Sequence, residues 1–132
     1  MKESFRQPDA DTLFFFDGHP AVLEIYEAFE TMILKEFPEA LKRVQKTQIT
    51  FFHRHVFACA SLQRVKRKAE LPDPYLMITL GLPYSLLSDR VAVRTEVYPG
   101  RWTTHIVIGK TEEIDDELTG WVRQAYSFSE AR

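Results

Sequence analysis

The stretch PGRWTTHIVIG, residues 99–109, begins with a turn-forming Pro-Gly pair and continues with large apolar residues that alternate with threonine and histidine. An alternation of this kind is typical of a β-strand with one buried face and one polar face. Residues 91–98 alternate in the same way just before the turn. The two segments therefore predict an antiparallel hairpin around which a larger sheet can form.

The register of this hairpin determines which side chains meet across it. A two-residue turn at the Pro-Gly pair would place Arg94 opposite His105, on the polar side of the sheet. The buried side would then carry large residues from both strands: Val91, Val93, Val97, Trp102, Ile106 and Ile108. Because Pro-Gly is not the favoured hairpin turn, a longer loop or a bulge would shift this pairing by one residue.

Three further strands are predicted upstream of the hairpin. Residues 46–51 have a period of two, and residues 56–62 return beside them after a turn at residues 52–55. The next strand covers residues 75–82 and follows a segment that contains two prolines. Together with the hairpin, these segments predict an antiparallel sheet of about five strands.

One helix is predicted before the strands and one after them. The first covers residues 20–37 and begins with proline, which suits the first helical position. It carries one apolar stripe: Val22, Tyr26, Phe29, Ile33 and Phe37. The second begins at Thr111, a suitable N-cap, and its first turns are acidic, as the helix dipole favours. We therefore expect a two-layer α+β domain (α-β-β-β-β-β-α) with both helices packed on one face of the sheet.

Length, charge and cysteine content limit the possible organisation and partners. With 132 residues, the chain can bury one core, so we expect a flexible arm at residues 1–13 and a single domain at residues 14–132. A net charge of -2 provides no overall attraction for a polyanion or an acidic membrane. Cys59 is the only cysteine and lies in an apolar run, which indicates a buried thiol and a cytoplasmic protein. No apolar run approaches the roughly 20 residues that cross a bilayer, so no membrane partner is expected.

Short motifs spread along the chain resemble a known family. They are KTQITF at residues 46–51, PGRWT at 99–103 with His105, EIDDEL at 113–118 with Trp121, AY at 125–126, and FF at 14–15 with GHP at 18–20. Together they resemble a bacterial family of small domains, domain of unknown function 5655. The resemblance implies a layout similar to that of YdhG-like domains, which have been compared with frataxin-like iron chaperones. It implies no particular activity.

Neither an enzyme nor a cofactor is predicted. No nucleophile elbow and no phosphate-binding glycine loop occurs, and a thiol buried at Cys59 would not ionise readily. His53 and His55 lie in a predicted turn without further ligands nearby, so no metal site is predicted there. A frataxin-like, metal-handling protein is the alternative, because two acidic clusters could supply carboxylate ligands. They are Glu24, Glu27 and Glu30, and residues 112–117.

The basic stretch RVKRK, residues 64–68, is a candidate contact for nucleic acid. Phosphate groups would be attracted to it, and Lys42, Arg43 and Lys46 would extend the positive surface. Aromatic residues that stack on bases do not interleave with these cations, which disfavours nucleic acid as a partner. A weak nucleic-acid accessory role is therefore the third alternative.

The polar face of the sheet is the leading candidate for a binding surface. If the strands lie side by side, cationic groups, hydroxyls and an aromatic ring project from it together. The expected ligand-binding residues are Lys46, Gln48, Thr50, Tyr75, Arg94, Thr103 and His105. Such a surface suits a small anionic ligand or a protein partner, and Arg94 beside His105 would lower the pKa of the imidazole. With Tyr75 and Met77 exposed, the same face would also suit contact between two copies of the chain.

Overall fold

The structure is a computed structural model that describes residues 9–132. Its helices are α1 (Ala10–Phe15), α2 (Pro20–Glu36) and α3 (Asp116–Glu130). Its strands are β1 (Leu41–Val44), β2 (Ile49–Phe52), β3 (Val56–Ser61), β4 (Leu76–Leu82), β5 (Val91–Tyr98) and β6 (Arg101–Ile108). None of the helices in residues 9–132 has both the length and the apolar character that crossing a bilayer requires.

The strands form one antiparallel sheet in the order β1-β2-β3-β4-β6-β5. The expected α+β fold is confirmed, but this sheet has six strands where the sequence predicted about five. The additional strand is β1, which pairs with β2 through a turn near Lys46. The stretch 46–51 is therefore the end of a hairpin and not one continuous strand, because Lys46 and Thr47 lie in that turn.

The core lies between the sheet and the two long helices, on the face that we call the helix face. Phe51 of β2 packs against α2, with its ring centroid 5.9 Å from that of Phe29 and 6.4 Å from that of Tyr26. Further along the same face, Ile106 of β6 and Leu118 of α3 belong to the same buried cluster. Both helices thus cover one face, as the sequence predicted.

The register of the β5–β6 hairpin differs from the expected one. Tyr98 pairs with Arg101 as predicted, but the pairing shifts between Glu96 and Tyr98, so that Arg94 pairs with Thr104 and Val93 pairs with His105. The expected pairing of Arg94 with His105 is therefore wrong, and Val93 lies on the polar face instead of in the core. The physical reason is a bulge, which inserts one residue into a strand and exchanges the faces of the residues beyond it.

The helix boundaries also refine the predictions. α2 begins at Pro20, as expected. Thr111 is not the N-cap of α3, because residues 111–113 form a 3-10 turn and the carboxylate of Asp115 accepts a hydrogen bond from the Leu118 amide, at 3.0 Å. Of the predicted arm, residues 1–8 lie outside the described residues, whereas Asp9 caps α1 by accepting a hydrogen bond from the amide of Thr12.

Candidate functional site

The face of the sheet opposite α2 and α3, here called the outer face, carries a row of aligned residues. The strand register places them side by side across five strands: Thr50, Cys59, Thr79, His105 and Val93. Directly paired residues share a face of a sheet, so these side chains project together. The 2.9 Å contact between Thr79 Oγ1 and His105 Nδ1 and the 3.8 Å contact between Thr50 Oγ1 and Cys59 Sγ agree with this placement.

Part of the outer face is covered by the connection between β3 and β4, residues 62–75, here called the covering segment. Its ends are held together by a hydrogen bond of 2.7 Å from the Tyr75 hydroxyl to the Leu62 carbonyl. Pro72 lies so close to Gly109 that a β-carbon at Gly109 would be 3.1 Å from it. Met77, which projects from the outer face, is 0% exposed. The expectation that Met77 is accessible for contact between two copies is therefore wrong, because the chain covers that part of the face itself.

The covering segment brings the basic stretch to the outer face and forms an open cleft of about 600 Å³ with β5, here called the basic cleft. Its lining residues are Arg64, Val65, Lys66, Arg67, Glu70 and Val93. Arg67 is paired with Glu70 at 2.9 Å. Within residues 9–132, Arg64 and Lys66 have no carboxylate partner. The cleft therefore has an excess of positive charge in a chain whose net charge is negative.

A second cleft, of about 400 Å³, adjoins the basic cleft and shares Lys66 and Glu70 with it. The other end of this second cleft is lined by Asp89, Arg90 and Glu113. Arg90 is neutralised there, since its guanidinium lies 3.0 Å from both Asp115 and Glu117. This end is consequently less favourable for an anion than the basic cleft.

His105 does not itself line the basic cleft, but it lies next to Val93, its strand partner, which does. Its side chain is half-buried, and this burial lowers the pKa of the imidazole below its ordinary value. Nδ1 is engaged by the Thr79 hydroxyl, whereas Nε2 has no hydrogen-bond partner within the described part of the chain. The direction of the pKa shift agrees with the sequence analysis, but its cause is burial and not Arg94.

Arg94 lies away from the other predicted site residues. It pairs with Thr104, which is fully buried on the helix face, and its Nε donates a hydrogen bond of 2.9 Å to the Ser85 hydroxyl. Its predicted role as a neighbour of His105 on the polar face is thus not supported by the geometry. The one-residue shift in β5 is the reason.

Three of the predicted residues form a separate group at the far end of the row. Thr50 is buried, and its hydroxyl donates to the Gln45 side chain at 2.7 Å and accepts from Gln48 at 3.2 Å. Lys46 is exposed in the adjoining turn. Three strand spacings separate Thr50 from His105, about 14 Å, which is too far for one small ligand to bridge easily.

The remaining two predicted residues lie nearer to His105. Thr103 is two residues away on the same strand, so it shares the outer face, and it pairs with both Gly81 and Thr95. Tyr75 is half-buried, and its hydroxyl is used to hold the covering segment. Of the predicted set, His105 is therefore the residue nearest to the basic cleft, whereas Thr103 shares its face but lines a separate pocket with Arg101 and Trp102.

The other candidate chemistries have little geometric support. Cys59 is buried, as expected, and burial raises the pKa of its thiol despite a weaker opposing effect of Thr50. His53 lies in the turn between β2 and β3, with its Nδ1 3.0 Å from the Glu130 carboxylate. Among residues 9–132, no group of three or more His, Cys, Asp or Glu side chains is placed to hold a metal ion.

The meeting of the basic stretch with the outer face was not predicted. The sequence analysis treated residues 64–68 as a candidate contact for nucleic acid and the polar face as a separate surface. No local sequence pattern shows against which surface such a segment packs, because its path depends on contacts with distant residues such as Gly109. The apolar Val65 in the middle of the basic stretch was the available signal, since it is half-buried in the structure.

Comparisons with known proteins place the chain in one family. The family model for a domain of unknown function, DUF5655, matches residues 14–129, which is most of the chain. No curated protein and no solved structure matches it. The resemblance seen in the motifs is thereby confirmed for this family, whereas the likeness to YdhG-like and frataxin-like domains is not. The chain belongs to the DUF5655 family.

Proposed function

We propose that this protein is a non-enzymatic binding domain that takes an anionic group into the basic cleft on the outer face of its sheet. The single observation that carries the proposal is the position of Arg64 and Lys66. Both lack a carboxylate partner within residues 9–132, and both line a cleft that is also lined by Val93, the neighbour of His105. A polar strand face that only faced water would not need a basic segment folded onto it.

The chemistry of the cleft favours a small, multiply charged anion such as a phosphate group. Two cations without fixed partners can move to meet a ligand, and charge-assisted hydrogen bonds to phosphate are stronger than neutral ones. His105 adds a ring nitrogen, Nε2, without a partner in the described residues. Val93 and Val65 provide apolar contact for the part of the ligand that carries the anionic group. The open shape of the cleft predicts weak binding of the bare anion.

The alternatives from the sequence analysis receive less support. The lining of the basic cleft contains no aromatic side chain on which a base can stack, which disfavours single-stranded nucleic acid. The metal-handling alternative lacks a ligand set among the described residues. A protein partner that presents an acidic side chain uses the same chemistry as a small anion and is an extension of the proposal. The buried Cys59 suits a reducing cytoplasm, which we propose as the compartment.

Removal of the Arg64 and Lys66 charges is expected to weaken anion binding without unfolding the protein. In calorimetric titrations with inorganic pyrophosphate at low ionic strength, the Arg64→Ala/Lys66→Ala variant should bind at least about tenfold more weakly, since each charge-assisted hydrogen bond contributes about 1.5–3 kcal/mol. Lys35→Ala is the matched control, because Lys35 is an exposed cation in the last turn of α2. Equal binding by all three proteins, or no binding by the wild type at millimolar pyrophosphate, would refute the proposal.

A further inference from the structure

Strand β5 lies at one edge of the sheet, and within residues 9–132 one of its two sides has no neighbouring strand. It is the last strand in the sheet order and, within residues 9–132, it pairs only with β6. Residues 94–98 are all exposed, and the large apolar side chains Val97 and Tyr98 are each 63% exposed. A free edge of this kind exposes unpaired backbone donors and acceptors and is a template for another strand.

The charges on this edge specify a particular partner. We propose that two copies of the chain associate through their β5 strands, which run antiparallel about a two-fold axis at Thr95. In this register, Arg94 of one copy lies opposite Glu96 of its partner, and the symmetry produces the pair twice. Val93 lies opposite Val97 in the same arrangement. Two ion pairs and two apolar contacts thus surround the axis.

Neighbouring symmetric registers are disfavoured by charge. An axis at Arg94 places the two Arg94 side chains opposite each other, and an axis at Glu96 does the same with the two glutamates. Like charges directly opposite each other in an antiparallel pair destabilise it, whereas opposite charges stabilise it. Thr95 is therefore the centre that the sequence of β5 selects.

Both charged side chains have atoms left for the intermolecular pair. Arg94 uses Nε to contact Ser85, and its two terminal nitrogens have no partner in the described residues. Glu96 accepts a hydrogen bond from the Gly100 amide through Oε2, and Oε1 is without a partner there. These existing contacts hold each side chain in place, which reduces the entropy lost when the pair forms.

The length of the regular strand limits the strength of this association. Register shifts lie between Val91 and Val93 and between Glu96 and Tyr98, so the regular part of β5 is short. A bulge bends the strand and interrupts pairing, which is one way in which natural edges avoid uncontrolled growth. A closed, weak dimer is therefore expected, and Val93 is the residue that this contact shares with the lining of the basic cleft.

Charge reversal tests this dimer in solution. Sedimentation velocity across about 5 to 500 μM should show a concentration-dependent dimer for the full chain, a range that fits a small interface. Arg94→Glu and Glu96→Arg should each weaken dimerisation roughly tenfold or more, because each creates two like-charge pairs. The double variant Arg94→Glu/Glu96→Arg restores opposite charges and should recover the dimer. Lys35→Glu, on the helix layer, changes the net charge by the same amount as Arg94→Glu and should leave the dimer unchanged.

Three results would overturn the inference. One is a wild-type chain that stays monomeric throughout the concentration range. Another is a dimer that survives both single reversals, which would place the contact elsewhere. The third is a double variant that stays monomeric although its circular dichroism and unfolding midpoint match those of the wild type. Recovery in the double variant is the result that a local structural role of Arg94 does not produce.

Discussion

Phe51→Ala is expected to lower the free energy of unfolding by about 4 kcal/mol, the largest single effect that we predict. Phe51 is 0% exposed and lies between the sheet and α2, where its ring packs against Tyr26 and Phe29. Loss of the ring removes apolar contact from both elements and leaves a cavity that the surrounding strands cannot close completely. The effect is large compared with the total stability of about 5–15 kcal/mol typical of a domain.

Urea unfolding followed by circular dichroism measures this loss, and two other phenylalanines serve as controls. Phe14 is 83% exposed, so Phe14→Ala should change the unfolding free energy by less than about 0.5 kcal/mol. Phe52 follows Phe51 in the same strand but is only half-buried, so its replacement should have an intermediate effect. Similar losses for Phe51→Ala and Phe14→Ala would contradict the assignment of the helix face.

Lys42→Met is expected to lower the free energy of unfolding by about 2 kcal/mol at neutral pH, because it breaks a largely buried ion pair. Lys42 Nζ lies 2.9 Å from Glu30 Oε1, and both side chains are mostly buried. The same ammonium group contacts Asp9 at 2.9 Å and donates to the Thr12 hydroxyl. One side chain of β1 thus joins α1 and α2 to the edge of the sheet. Methionine keeps most of the apolar stem but none of these contacts.

The difference between Lys42→Met and the wild type should diminish in acid. Burial of Asp9 raises its pKa, but the hydrogen bonds from Lys42 and Thr12 outweigh this effect and lower the pKa to about 2. Because the folded-state pKa is below the unfolded value, the stabilisation is complete above about pH 5 and is lost as the pH falls towards 2. Asp9 is partly exposed, so solvent screening keeps its share small.

Urea titrations at several pH values between 7 and 3 check this behaviour. Lys46→Met is the control, since Lys46 is exposed in the turn between β1 and β2 and should contribute little. If Lys42→Met and Lys46→Met have the same small effect at pH 7, the ion pair with Glu30 does not stabilise the fold. A loss that stays constant down to pH 3 would show that the pairing of Lys42 with Asp9 does not contribute to the stability.

Long periodic segments were predictable from the sequence. The apolar stripe from Val22 to Ile33 predicted α2, and the proline before it predicted where the helix begins. Apolar residues spaced three or four positions apart lie on one face of a helix. The alternation in β5 and β6 predicted both strands, and it placed Trp102 and His105 on opposite faces correctly. These features depend on local periodicity, which a single sequence contains.

Short elements and registers were less predictable. β1 has only four residues and two of them are basic, so its pattern does not differ from that of a polar connection. The shift that separates Arg94 from His105 arises from bulges, which depend on how β5 twists against its neighbour and not on a sequence signal. Thr111 and Asp115 are both acceptable caps, and the choice between them is made by tertiary contacts of the helix.

The candidate site was predicted only in part. Composition and alternation indicated a polar face with His105 and Thr103 on it, and the structure brings these two together. The cations that complete the site, Arg64 and Lys66, come from a segment whose path depends on long-range contacts. Arg94, which local pairing rules placed beside His105, projects from the opposite face. The candidate site therefore depends on the part of the fold that periodicity does not encode.

Anion binding beside His105 is tested most directly by an NMR pH titration of its imidazole with and without inorganic pyrophosphate. In the free protein, the pKa of His105 should lie below the ordinary value of 6.5, because burial disfavours the charged ring. A bound anion stabilises the imidazolium, so the pKa should rise when pyrophosphate is present, and the amide shifts should concentrate at residues 64–67 and at Val93. An unchanged pKa together with amide shifts on α2 and α3, or with none at all, would contradict the proposed binding surface.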